Sequence, residues 1–272
     1  MAKVFFSPVS LKGGNVDVIG LFLVGAIAAT LLLYITGFNY IYLLVFIVAI
    51  ALFIVYISKD SKAFIGISFF QNKRFFSLLA IAFVIYSVQL AYIFLFPFLL
   101  EKLYNLNLDT ISLLLILAYV LAATVGALSG KIARVLGTRQ CITIAMAGIT
   151  TSLLVGGFFI QSSVIVFVIS MILFSSSFAF MYAPMIDSCI STIAKENSGT
   201  AVGFYNLILN VAASIGIAYT AAMMDHSSMR GNILEYLNNS DASLYSNILL
   251  VLSLITVFSA FLYWVLVGRF SK

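Results

Sequence analysis

Among the polar side chains set in the apolar runs, six are those with which the chain can do chemistry: Gln89, Tyr92, Asp187, Asn206, Asn210 and Ser214. Gln89, Tyr92 and Phe96 follow one another at about one helical turn in AFVIYSVQLAYIFLFPFLL (82–100). Such a face offers an amide for hydrogen bonding and an aromatic wall, the combination that holds a flat polar molecule. Asn206, Asn210 and Ser214 recur at i, i+4 and i+8 and form a second polar stripe. Two readings stand for both sets: contacts to a substrate, or hydrogen bonds that glue neighbouring helices at about 0.6 kcal/mol each. Asp187 is the one acid within an apolar stretch, three residues after Pro184 in YAPMID. Counted from Val164 at 1.5 Å per residue, it lies roughly 35 Å along its helix, close to a membrane boundary. It is read either as a proton-carrying group or as an interfacial acid beside a proline-kinked helix.

Other chemistry is absent from the sequence. There is no HExxH, no GxSxG, no phosphate-cradling GxxxxGK[ST] and no pair of acids on one apolar helix, so neither an enzyme nor ATP-driven transport on this chain is expected. The single histidine, His226, and two cysteines, Cys141 and Cys189, are too few for a Cys/His metal cage, and no metal or cofactor is expected.

The elements that must position these residues are legible from composition. The 272 residues are 63% hydrophobic and 8% charged, against about half and a quarter in an ordinary soluble domain. Runs of about 20 apolar residues suffice to cross a hydrocarbon core of roughly 30 Å. They fall near Val18–Thr36, Tyr40–Ile57, Phe76–Leu99, Ile111–Ser129, Ile142–Ile160, Val164–Met185, Thr200–Met224 and Asn247–Val267. The runs are continuous and not alternating, which favours helices over a barrel. The expectation is an all-α polytopic membrane protein with eight transmembrane helices. The first span follows a short polar leader without a small-residue cleavage site and is read as retained.

Loop charge sets the orientation. With the N-terminus cytoplasmic, the outer loops hold only Lys102 and Arg230 of the 14 basic residues, while Glu101, Asp109, Asp225, Glu235 and Asp241 lie outside. Both termini are then cytoplasmic, and the net charge of +5 speaks for topology control and not for nucleic-acid binding. Ala63–Phe75 is too short to cross and reads as an interfacial segment. The longest outer loop is expected from Asp225 to Ser246.

The segment GALSGKIARVLGTRQ (126–140) joins the fourth and fifth spans. Gly126 and Gly130 are one turn apart, so two helix backbones can approach there, and Lys131, Arg134 and Arg139 face anionic lipid. It resembles the G-x-L-x-D-R-x-G-R-[RK] loop of the major facilitator superfamily, with Gly126, Gly130, Lys131, Arg134, Gly137 and Arg139 on the motif and Gly130 standing where the acid usually is. GNVDVIGLFL (14–23) resembles the start of the extra central helix pair of fourteen-helix drug/proton antiporters, and ISFFQNKRFF (67–76) the lead into their next bundle. ENSGTAVGFYNLILNVAASIGIAY (196–219) is similar to their penultimate helix. LDTISLLLILAYVLAATVGALSGK (108–131) and LYSNILL (244–250) resemble the tetracycline-efflux members.

The resemblance implies a two-part organisation, with residues 1–62 a polar leader and two central linker helices and residues 63–272 a six-helix C-terminal transporter bundle. It implies proton-coupled efflux of a tetracycline-type antibiotic by an antiporter in the inner (cytoplasmic) membrane. Gln89, Tyr92, Phe96, Asn206 and Asn210 would contact the drug and Asp187 would serve proton coupling. The six helices that precede this region in a full member have no counterpart here, so the expected partners are a drug, protons, the lipid bilayer and an N-terminal six-helix half. Some tetracycline pumps carry a glutamate in the penultimate helix where Ala213 stands. The alternative expectation is a non-transporting membrane remnant or partner-binding subunit.

Overall fold

The computed structural model describes residues 18–59, 72–231, 233–234 and 239–270, and among them every regular element is helical. The interfacial segment expected at Ala63–Phe75 lies mostly outside the described residues. The eight α-helices are α1 Val18–Gly37, α2 Tyr40–Lys59, α3 Lys73–Tyr104, α4 Leu108–Leu136, α5 Thr138–Phe158, α6 Val164–Ile190, α7 Ser198–Asp225 and α8 Ser240–Phe270. Each coincides with one of the expected spans. By length and composition α2 to α8 can each cross a membrane, and α1 adds an apolar stretch from Phe22 to Gly37. The chain is an all-α polytopic membrane protein.

Several helices outrun the apolar stretch that marks them. α3 has 32 residues, about 48 Å at 1.5 Å each, more than the roughly 30 Å of hydrocarbon. Its ends are made by polar groups. The Asn72 side chain accepts from the Phe75 N–H at 3.1 Å, and Asn105, in the left-handed region at φ 52°, returns its N–H to the Glu101 carbonyl. Asn107 caps α4 by accepting from Thr110 N–H at 2.9 Å.

α8 begins at Ser240, seven residues before the expected Asn247, because polar residues form its first two turns. The Asn239 side chain accepts from Asp241 N–H at 2.8 Å, and buried Asn247 donates to the carbonyls of Met229 and Gly231, each at 2.8 Å. The connection from α7 to α8 is thus shorter than expected, and Ser227–Arg230 within it form a 3₁₀ turn.

The core lies among α3, α5, α6, α7 and α8. α6 packs on both α4 and α5, α3 packs on α7 and α8, and α5 packs on α8. α2 packs almost entirely on α1, which leans on α7. Leu44, Ile47, Val48 and Val55 of α2 are exposed, which suits a helix bathed in lipid.

The helices run alternately up and down. At one end Asn72 Nδ2 donates to the Thr192 carbonyl at 2.8 Å, tying the start of α3 to the segment after α6. At the other, the Tyr104 hydroxyl donates to the Ile160 carbonyl at 2.6 Å. The first end carries Lys73, Arg74, Lys131, Arg134, Arg139 and Lys195, with Asp187 and Glu196 as its acids by position. The second carries Lys102 and Arg230 with Glu101, Asp109, Asp225 and Asp241, and there Arg230 pairs with Asp241 at 2.8 Å.

Candidate functional site

Gln89 and Ile93 of α3, Tyr119 of α4, and Phe174, Ser175 and Phe178 of α6 surround a cavity of about 250 Å³. Small residues on α4 bring the walls together. Ala122 and Ala123 line the cavity, and at Gly126 an added Cβ would sit 3.4 Å from the Cβ of Ala179 on α6. Gln89 Oε1 is shut off from solvent and accepts no hydrogen bond. A buried carbonyl oxygen without a donor costs about 1–3 kcal/mol, and the walls around it are aromatic. The arrangement suits a ligand that presents a hydroxyl or N–H to Gln89 and a flat face to the rings.

Tyr92 and Phe96 do not line this cavity. They point into the core, where Tyr92 stacks on Phe174 with centroids 4.0 Å apart and Phe96 stacks on Phe167 at 5.5 Å. Residue i+4 from Gln89 is Ile93, which lines the cavity, whereas Tyr92 at i+3 lies about 100° around α3 from Ile93 and turns into the core. The Tyr92 hydroxyl is buried near Ser170 without a hydrogen bond, and Ser170 Oγ donates to the Ser152 carbonyl at 2.6 Å.

Asn206, Asn210 and Ser214 form one exposed stripe on α7. Among the described residues they make no hydrogen bond to another helix. Asn210 Nδ2 donates to the Asn206 carbonyl at 2.9 Å, and Ser214 Oγ donates to the Asn210 carbonyl at 3.2 Å, both within α7 itself. Val202, Gly203 and Ile217 continue the exposed face. No α7 residue lines the Gln89 cavity.

Asp187 lies exposed in the last turn of α6, at the basic end, where the helix continues six residues beyond Pro184. Two cavities meet at it, one shared with Arg74 and Arg139 and the other with Arg134 and Gly130. Most of the 126–140 segment is helical: α4 continues to Leu136, and Gly137 alone separates it from α5. Gly137 adopts φ 86° and ψ 144°, which a side chain resists. The close approach of helices is made by Gly126, while Gly130 faces open space. Lys131, Arg134 and Arg139 are all exposed.

Phe174, Ser175 and Phe178 escaped sequence reasoning, and Tyr119, which by sequence reads as a packing or belt aromatic, lines the cavity. The available signals were the alanines around Tyr119 and the serine run 175–177 in an otherwise apolar α6. His226 serves the chain turn, accepting from Ser228 N–H at 3.3 Å through Nδ1.

The family model of the Major Facilitator Superfamily matches residues 17–217. The span reaches from the start of α1 through most of α7.

Proposed function

Since this chain belongs to the Major Facilitator Superfamily and its work is membrane transport, we propose that it acts in proton-coupled efflux of a planar, polar drug of the tetracycline kind. The observation that carries the reading is the Gln89 side chain, which lines an aromatic-walled cavity at membrane depth and whose buried Oε1 has no donor. Gln89 binds the drug through that oxygen, Tyr119 and Phe174 flank it, and the Asn206–Asn210 stripe faces either the same substrate path or a second helical bundle. The stripe supports this because exposed amides at membrane depth are costly unless they meet water or another polar surface. Transport then follows alternating access, with this bundle rocking against a second six-helix bundle.

Asp187 is the acid assigned to proton coupling, reached from two crevices at the basic end. That end faces the cytoplasm, with both termini on the same side, because basic residues accumulate on the cytoplasmic face.

Drug accumulation in cells tests the reading. Expression of this chain by itself is expected to leave tetracycline sensitivity unchanged, and co-expression with a compatible N-terminal six-helix bundle is expected to lower accumulation. Proton-driven export by the chain alone in liposomes would overturn the two-bundle mechanism. A lack of export with every compatible bundle would overturn efflux and favour a non-transporting, partner-binding subunit.

A further inference from the structure

Four helix ends converge on a crevice at the basic end of the bundle. Arg74 comes from the start of α3, Thr138 and Arg139 from the start of α5, Asp187 from the end of α6, and Tyr263 and Leu266 from α8. Ser188 in the last turn of α6 and Ser191 just after it complete the polar lining. The crevice measures about 260 Å³, against the roughly 30 Å³ that one water takes in the liquid. Tyr263 is buried in its wall, and both arginines are exposed at its mouth. Across Asp187, Arg134 borders the adjoining cavity of about 410 Å³. Three arginines and one carboxylate thus line the two cavities that meet at Asp187.

We propose that this crevice binds a phosphate oxyanion, and that its source is the phosphodiester of an anionic lipid. Guanidinium forks match phosphate oxygens two at a time, and hydroxyl donors add to them. Basic pockets between membrane helices on the cytoplasmic side are suited to such headgroups. The apolar part of the wall selects the phosphodiester of a lipid over free phosphate. Leu78 and Leu266 continue the wall in apolar material, which suits the glycerol and the first methylenes. The proposal is independent of the substrate assigned to the Gln89 cavity.

The test uses the full chain purified in an uncharged detergent. Native mass spectrometry with equal amounts of phosphatidylglycerol and phosphatidylcholine is expected to show one phosphatidylglycerol retained in preference. Arg74→Gln and Arg139→Gln should each lower that retention about fivefold, the equivalent of roughly 1 kcal/mol per basic contact. Lys131→Gln with Lys195→Gln, two charges removed from the same end but outside the crevice, should leave it unchanged. A parallel thermal melt with millimolar inorganic phosphate is expected to show little shift. A shift that depends on Arg139, with no lipid preference, would keep the oxyanion site but overturn the lipid as its source. Equal retention of the two lipids without any phosphate effect would overturn the site, as would an equal loss in the lysine variant. Should Arg74→Gln fail to accumulate, Arg139→Lys carries the test: it keeps the charge, removes the fork and is expected to give a smaller loss.

Discussion

Gly216 of α7 passes the Ser87 peptide of α3 so closely that an added Cβ would lie 2.9 Å from the Ser87 carbonyl carbon and would overlap its oxygen. Backbone on both sides leaves nothing flexible to yield. Gly216→Ala should therefore push α7 off α3 and destabilise the bundle by about 1–3 kcal/mol, read as a lowered melting temperature in detergent. Gly199, with nothing within 4 Å of its Cβ position, provides the control, and Gly199→Ala should change stability by less than about 0.5 kcal/mol. Equal effects would show that the α3–α7 approach is not tight.

Gly137 presents the opposite situation. Space around it is open, yet its φ of 86° is one that side chains avoid. Gly137→Ala is expected to cost about 1–2 kcal/mol through backbone strain alone, while Gly130→Ala, in ordinary helix, is expected to be neutral or slightly stabilising. Thermal melts of the two variants side by side decide the matter.

Removing the unsatisfied amide should separate stability from function. Gln89→Leu takes away an acceptor that has no donor in the bundle, so the melting temperature should hold or rise. Drug binding should weaken by about tenfold, as expected for a lost buried hydrogen bond of roughly 1–1.5 kcal/mol. A fall in stability with binding unchanged would reassign Gln89 to packing. Asn206→Ala, on an exposed face, should leave membrane abundance near normal while lowering transport.

Orientation is open to labelling. In a background without Cys141 and Cys189, both fully buried, a membrane-impermeant thiol reagent added outside should modify Ser240→Cys but not Arg134→Cys. The two positions are exposed at opposite ends of the bundle. Modification in the reverse order would invert the topology, and modification of both from outside would break the alternation of spans.

Apolar run length made the number and place of the helices readable, because a helix that spans lipid must be apolar on every side. Helix ends were harder to see. Ser240–Asn247 looks like loop by composition, yet caps and buried amide bonds bring it into α8. Face assignment was harder still, since in an apolar helix no contrast of polar and apolar sides shows which way a residue points. Gln89 was recognised as unusual, but only the neighbours α4 and α6 decide that Ile93 and not Tyr92 shares its cavity. The stripe of Asn206 and Asn210 was visible in the spacing. That it faces out of the bundle was not, because its hydrogen bonds stay within α7.

α3, the most buried of the spans, carries a consequence for biogenesis. It is the first helix of the main bundle to be made, but its chief partners α7 and α8 are made last. The Asn72 amide waits for a carbonyl 120 residues downstream. Membrane helices insert before they associate, so for most of synthesis the face of α3 that bears Ser87 meets lipid or a chaperoning surface. Quality control in the cell would then act on α3 for longer than on any other span of the bundle, and variants that slow the docking of α7, Gly216→Ala first among them, would prolong that vulnerable interval.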